Sequence, residues 1–328
     1  MVKLSIVILC WNDLKVIPAC LESIYAGTRE TSFEVIMSDN GSTDGSIEFV
    51  HANFPAVQVI ENGVNLRFSK GNNIGIRVSK GEYILILNPD TIIHDGALDR
   101  WVSVADGHPE AGAFGCRILN PDGSYQGSAR PFPTLVGSLV GALYLRWLGQ
   151  IFDLIPSDTY TKWQGDTERA IDWQAGCAVM LRANLLKELG GFDEQFFYYY
   201  EDVDLCHRVW KAGYPILYTP TVIITHLGGQ STQRDAQAFE VDKYRNRYRY
   251  FYKYYGTAGV RRCRAVTLTS LILRYVGYSM LQMVRPGHES RVDLCRTAIK
   301  WNMQVDPARL VRYGDDPNTA LGGGLRCS

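Results

Sequence analysis

Residues 82–91 read EYILILNPDT. The run from Tyr83 to Leu87 is apolar throughout, as a strand covered on both faces must be. It ends in Asn88, Pro89 and Asp90. Pro has no amide proton with which to extend a sheet ladder, and Asp is rarely buried unpaired, so the strand stops there, at the rim of a sheet. In open α/β sheets the rim at the carboxyl ends of the strands is where ligands sit. Taken alone, Asn-Pro-Asp reads equally well as a turn.

Working outward from this strand, the first half of the chain alternates between two periods. LSIVILC (4–10), FEVIMSDN (33–40) and VQVIEN (57–62) read as strands. Between them lie helical patterns at 16–27, 44–54 and 69–81, and a further helix at 97–107 precedes a strand near 111–119. This spacing predicts an α/β fold with a mostly parallel central sheet and crossover helices. WQAGCAVMLR (173–182) reads as one more core strand, then come helices at 183–191 and 200–213 and one or two last strands at 214–226. The stretch 120–170, where Pro, Gly and Ser cluster in PDGSYQGSARPFPT before an apolar segment at 135–152, reads as a long, partly helical excursion. After about Gln230 the pattern turns helical, basic and aromatic, so the expected division is a catalytic domain at 1–230 and a C-terminal helical appendage at 231–328.

Thirty-four basic residues balance thirty-four acidic ones, so no global field favours nucleic acid. The eight cysteines show no CxxC pair and no zinc-type spacing. No charged-then-apolar leader precedes the first strand, which argues against a secretory signal and for a reducing cytoplasm.

Three acidic clusters follow strands or open a helix: Asp39 in SDNGSTDGS, Asp90 in NPDT, and Glu201-Asp202 in YYYEDVDLC. His226 ends the last strand pattern. Each has a plainer explanation, since Asn-Gly marks turns and acids favour helix amino termini. Jointly they point elsewhere. Asp39 and Asp90 end parallel strands and so project at one sheet edge, and His226 joins them if its strand has the same polarity. One carboxylate and one imidazole are too few for a dedicated metal cage, but they suffice for Mg²⁺ or Mn²⁺ when a diphosphate completes the shell.

The order SIVILCWN, SDNGSTDGS, NLRFSKGNNIG, LILNPDT, GCAVMLRA, GGFDEQFFYYYEDVDLCHRVWKAGY, THLGGQS resembles glycosyltransferase family 2, and within it the rhamnosyltransferase-like branch. The resemblance covers roughly residues 1–230 and implies the type A nucleotide-sugar-binding fold, with inversion at the anomeric carbon. It implies that Asp39 contacts the nucleotide base, flanked by the loop Cys10, Trp11 and Asn12. Asn65, Lys70 and Asn72 would line the nucleoside pocket. Asn88 and Asp90 would occupy the Asp-x-Asp position, with Asp90 and His226 as metal ligands. Asp202 would be the catalytic base, with Glu201 as its alternative. Asn88 stands where the motif has its first Asp, and Arg67 stands where the branch usually has Gly.

The implied activity is transfer of a sugar, rhamnose from dTDP-rhamnose, to a lipid-linked saccharide acceptor in cell-surface polysaccharide synthesis. A nucleotidyltransferase shares the sheet class, but no Gly-rich, Lys-containing phosphate loop follows the first strand. A silent saccharide- or membrane-binding module would not need Asp90, Asp202 and His226. A NAD-dependent oxidoreductase is weaker still, because CWNDLK contains no GxGxxG. In the appendage, YRNRYRYFYKYYG (244–256) has the interleaving of a stacking nucleic-acid surface or of a helix laying basic heads over an aromatic stripe. The neutral balance and the nucleotide-sugar crevice argue against a nucleic-acid ligand. AVTLTSLILRYVGYSMLQMV (265–284) reads as amphipathic, with Thr267, Ser270, Arg274 and Gly277 on one face. Flanked by arginines, it suits the inner face of an anionic membrane, or equally a helix packing on the catalytic domain or on a second subunit as a homo-oligomer.

Overall fold

In the computed structural model, which describes residues 2–142, 145, 158–160, 162–196, 199–228, 236–285 and 287–306, the sheet is built as its apolar runs require. β1 (Leu4–Cys10), β2 (Phe33–Asp39), β3 (Gln58–Glu61) and β4 (Tyr83–Leu87) alternate with α1 (Ile17–Gly27), α2 (Ser46–Asn53) and α3 (Arg67–Val78). Then follow β5 (Thr91–Ile93), α4 (Ala97–Gly107), β6 (Ala113–Leu119), β7 (Ala129–Arg130), α5 (Leu135–Ala142), β8 (Arg169–Ile171), β9 (Trp173–Gln174) and β10 (Ala178–Arg182). The remaining elements are α6 (Ala183–Glu188), α7 (Glu201–Lys211), β11 (Ile216–His226), α8 (Ala236–Val284) and α9 (Glu289–Gln304).

The strand order is β3-β2-β1-β4-β10-β6-β11-β5, with β8 beside β11. β1 pairs in parallel with β2 and β4, and β2 with β3. β10 is antiparallel to both β4 and β6. Two reversals restore the direction, so β6 and its parallel neighbour β11 run the same way as β1 to β4. The polarity condition on His226 is therefore met.

Both faces of the sheet are covered, which explains the unbroken apolar strands. Ile6 and Ile8 of β1 and Leu85 of β4 pack with Leu21 of α1 and Trp101 of α4, whereas Val7, Ile84 and Ile86 pack with Ile76 of α3 and Val209 of α7. The seven cysteines described are all buried and free, as small apolar residues.

Three departures from the sequence reading have local causes. The segment 173–182 is not one strand: β9 pairs with β7 in a separate two-stranded sheet, and the chain turns at 175–177 before β10. β5 and β8 have three residues each, too short to display a period. Of the apolar segment 135–152, α5 is helical and nearly all the rest lies outside the described residues.

The appendage begins as a packing element. Tyr244, Tyr248, Tyr250 and Phe251 are buried and share a cluster with Val203 of α7. Asp204 of α7 is fully buried and meets Lys253 Nζ, the Tyr254 hydroxyl and Arg208 Nε at 2.7, 2.7 and 2.8 Å. The His207 ring stacks on Tyr254 at 3.8 Å. The interleaved Tyr/Arg stretch thus buries its rings against the helix that carries the acid pair. At Gly256 (φ 63°, ψ −165°) α8 leaves helical geometry, in a conformation essentially reserved for glycine.

Candidate active site

The strand order reverses beside β1: β2 and β3 lie on one side, β4 on the other. Such a switch point opens a crevice at the strand carboxyl ends. Cys10 and Asp39 are direct register partners at that edge. Trp11–Asn12 and Asn88–Asp90 follow β1 and β4 into the crevice.

The loops after β1 and β2 are laced together. Asn12, in left-handed backbone (φ 56°), accepts the Thr43 N–H at 2.7 Å with its side chain, and its own N–H donates to Ser42 Oγ at 2.8 Å. Asp39 is fully buried; Oδ1 accepts the N–H groups of Gly41 and Ser42 at 2.8 Å, and Oδ2 accepts the Ser42 hydroxyl at 2.5 Å. The turn reading of this stretch is therefore correct as far as it goes. An ionised carboxylate has about four acceptor sites, so capacity for a ligand remains. Burial pushes the Cys10 thiol up to about 12, which leaves it an inert wall of the loop.

At the start of α3, Asn65 Oδ1 accepts the Arg67 N–H at 2.9 Å and an Asn40 amide N–H at 3.2 Å. Lys70 is exposed and Asn72 is buried, with Asn72 Oδ1 meeting no hydrogen-bond donor among the described residues. Arg67 has φ 67°, which explains why glycine suits that position, and its guanidinium lies 3.4 Å from Asp242 on α8.

Asp90 and His226 are brought together by sheet register. His226 pairs with Thr91, and the Leu227 N–H donates to the Asp90 carbonyl at 2.9 Å. His226 Nε2 is then 3.2 Å from Asp90 Oδ1. Its Nδ1 is 2.9 Å from Gln126 Oε1, and the Gln126 amide is itself oriented by Asn120 at 3.0 Å. Burial lowers the affinity of the imidazole for its proton, but hydrogen bonds to Asp90 and Cys177 outweigh this and raise its pKa to about 10. Among the described residues no group of three or more His, Cys, Asp or Glu side chains forms a cation cage.

Glu201 and Asp202 open α7 immediately after Tyr199 and Tyr200, both in left-handed backbone (φ 65° and 71°). Non-glycine residues there store strain, which is characteristic of functional segments. Asp202 is half-buried; Oδ2 accepts the Gly176 N–H at 2.9 Å and Oδ1 accepts the Val203 N–H at 2.8 Å. Glu201 is buried, and its Oε2 has no hydrogen-bond partner among the described residues. Burial and the neighbouring Asp202 charge push the Glu201 carboxyl well above the usual range. Burial also raises Asp202, against the two N–H groups and the Arg130 charge, which favour its ionised form.

Four residues at this site escaped the sequence reading. Gly176 and Cys177 lay inside what reads as a strand; a Cβ on Gly176 would stand 3.3 Å from the Asp202 Cβ. Gln126 and Arg130 lay in the loop-rich stretch. Arg130 is held over the Trp173 ring at 5.7 Å and by the Gly127 carbonyl at 2.9 Å. Only the charge of Arg130 in an otherwise polar turn signalled it. One path now joins the predicted residues: Asp202 to Gly176, Cys177 to the Asn88 N–H at 2.9 Å, and Asp90 to His226. Asn65 and Lys70 stand on the separate loop and first turn of α3.

Known proteins resemble this chain in sequence and in fold. The profile of Glycosyl transferase family 2 matches residues 5–168. The N-acetylglucosaminyl-diphospho-decaprenol L-rhamnosyltransferase of Mycobacterium tuberculosis is 33% identical over 219 residues, covering 63% of this chain and 70% of the relative. Rhamnosyltransferase WbbL of Escherichia coli is 27% identical over 202 residues, covering 59% and 72%. Among solved structures, the mannosyltransferase PcManGT from Pyrobaculum calidifontis in complex with GDP-Man and Mn²⁺ superimposes with a TM-score of 0.55 at 15% identity, covering 92% of this chain and 86% of that one. That likeness shows the fold, the type A architecture. This chain belongs to glycosyl transferase family 2 and is a glycosyltransferase of the rhamnosyltransferase-like kind.

Proposed function

We propose that this enzyme transfers rhamnose from dTDP-rhamnose to a hydroxyl of a lipid-linked saccharide, with inversion, in the synthesis of a cell-surface polysaccharide. The rhamnosyltransferase activities of the relatives from M. tuberculosis and E. coli support the sugar, and the diphospho-decaprenol acceptor of the former supports the lipid carrier. An acceptor of that kind is met in the cytoplasm at the inner face of the membrane.

The observation that carries the reading is the continuity of Asp202, Gly176–Cys177, Asn88 and the Asp90–His226 pair along one rim. Asp202 takes the proton of the acceptor hydroxyl as that oxygen attacks the anomeric carbon from the face opposite the diphosphate. The new C–O bond forms as the bond to the β-phosphate oxygen breaks, and the nucleoside diphosphate leaves with the electron pair. Attack from the opposite face inverts the centre, by the logic of inverting glycosidases with an alcohol in place of water. Asp202 is favoured over Glu201 because it is half-buried and partly reachable, whereas Glu201 is shut in.

The donor set fits a hard divalent cation. A carboxylate and an imidazole face each other at 3.2 Å, a cation would take the place of the proton they share, and Gln126 fixes the ring by its other nitrogen, as partners of ligating histidines do. Asp90 and His226 would hold Mn²⁺ or Mg²⁺, with donor phosphates completing the shell; when bound, the ion neutralises charge on the leaving diphosphate. Asp39, Asn12, Asn65, Lys70 and Asn72 would surround the nucleoside, the open acceptor atom of Asn72 being one contact to offer.

Screening nucleotide sugars for thermal protection and donor hydrolysis tests the reading, because a bound donor stabilises the fold by mass action. dTDP-rhamnose should give the largest shift in Tm and the fastest hydrolysis. A different nucleotide sugar giving both would replace the donor, and consumption of a nucleoside triphosphate with a sugar phosphate would replace the reaction.

A further inference from the structure

Beyond Gly256, α8 carries apolar residues on its exposed side as well as on its buried side. Its buried face carries Val260, Cys263, Thr267 and Leu271, with the polar Thr267 only 1% exposed. Its exposed face carries Ile272, Leu273, Val276, Met280, Met283 and Val284, at 49, 45, 48, 61, 83 and 80% exposure. These positions recur at three- and four-residue steps, so they form one ridge along the helix. A helix whose buried side holds a threonine and whose outer side is aliphatic is not built to face water.

Charge brackets the ridge. Arg261 and Arg262 stand exposed upstream of it on the same helix and Arg285 at its end, and no acidic residue occurs from 243 to 288. Tyr275 and Tyr278 flank it, amphipathic rings of the kind favoured at the water–lipid boundary. Against α9, a cavity of about 400 Å³ is lined by Tyr275, Ile299 and Met303 together with Arg296 and Lys300. Among the described residues no helix is long and apolar enough to cross a membrane.

We infer that this ridge seats on an anionic phospholipid bilayer, lying in the headgroup plane with the aliphatic side chains inserted and the arginines on lipid phosphates. A second copy of the chain suits the ridge less well. Pairing two ridges parallel sets each arginine cluster against itself, and pairing them antiparallel over Ile272–Val284 sets Arg285 against Leu271. Neither arrangement brings an acidic residue of this helix to the arginines, since none occurs from 243 to 288, whereas an anionic surface meets them all. The inference goes beyond the transferase reading and names the surface on which a lipid-linked acceptor would be met; it stands on the ridge alone.

The test uses the full chain with no donor or acceptor, so its failure says nothing about the transferase reading. Flotation with phosphatidylcholine vesicles, and with vesicles containing phosphatidylglycerol, should show binding to the anionic set only, weakened by salt. The double variant Val276→Asp, Met280→Asp should bind roughly tenfold or more weakly, since both side chains leave water on insertion. The triple variant Arg261→Gln, Arg262→Gln, Arg285→Gln should lose most of the salt dependence. Thermal protection by a nucleoside diphosphate, unchanged in both variants, would show that the fold is intact. Binding that is equal in parent and variants overturns the inference. So does a parent that is dimeric by light scattering and is made monomeric by Val276→Asp, Met280→Asp, for then a second copy covers the ridge.

Discussion

Asp202 Oδ2 accepts the backbone N–H of Gly176 at 2.9 Å, which pins the acid pair to the turn whose next residue, Cys177, receives the Asn88 N–H. The carboxylate is thus fixed relative to the β4 rim by backbone, not by a flexible partner. A base contributes mainly in the transition state, so its loss should lower turnover and spare donor binding. Asp202→Asn should reduce transfer by about a hundredfold or more and leave nucleoside diphosphate affinity within a few-fold. It should also cost about 1 kcal/mol of stability, because one amide N–H₂ now faces a backbone N–H. Kinetics and calorimetry on the same variant check this. Retained turnover in Asp202→Asn, with Glu201→Gln inactive, would assign the base to Glu201.

If Asp90 and His226 hold the cation they supply only two ligands, so donor and cation should bind interdependently. Calorimetry should find weak Mn²⁺ binding alone and tighter nucleoside diphosphate binding with Mn²⁺ than without. Asp90→Ala should abolish the difference. If Asp90 served only the turn after β4, the variant would lose stability and keep the coupling.

Much of this arrangement was legible in the sequence, for definable reasons. β1, β2 and β4 announce themselves because both faces of the sheet are covered, so Ile6–Leu9, Val35–Met37 and Tyr83–Leu87 are continuous apolar runs. The rim position of Asp90 followed from Pro89, which ends the ladder, and from the rarity of an unpaired buried Asp. What brings His226 to it, the three-residue β5 with Thr91 opposite His226, was not legible, since so short a strand has no pattern and its pairing is non-local. Arg130 and Gln126 were hidden for a similar reason: the turns that aim them are fixed by Trp173, Gly127 and Asn120. The Tyr/Arg stretch of α8 left its partner open, because periodicity tells which side is buried but not against what. The partner is α7, through Asp204 and His207.

Arg67 offers a test in which two small effects oppose each other. Its left-handed backbone costs a non-glycine residue roughly 1–2 kcal/mol. Its contact with Asp242, 3.4 Å from a guanidinium that is half exposed, contributes at most about 1 kcal/mol after screening by solvent. Arg67→Gly should therefore be neutral or slightly stabilising by denaturant unfolding. A loss of about 2 kcal/mol or more, beyond what an exposed pair contributes, would mean that Arg67 ties α8 to α3 more strongly than this geometry implies.

Glu201 makes stability depend on pH in a direction opposite to that of a salt-bridged acid. Its folded pKa lies well above the ordinary 4.5, because of burial and then the Asp202 charge. Below the unfolded value both states hold the proton and the full stability is present. As pH rises past that value the unfolded chain releases its proton while the folded chain retains it, so stability falls until the folded pKa is reached. Gln keeps the shape and cannot ionise. The melting curves of the parent and of Glu201→Gln should therefore coincide near the unfolded pKa and separate as pH rises to 8, with the variant higher by roughly 2 °C or more for each kcal/mol recovered. Asp202 shifts in the same direction through burial, but it is present in both proteins and contributes to both curves. Curves that run parallel across the range would mean that Glu201 is ionised in the folded protein and finds a partner when it is.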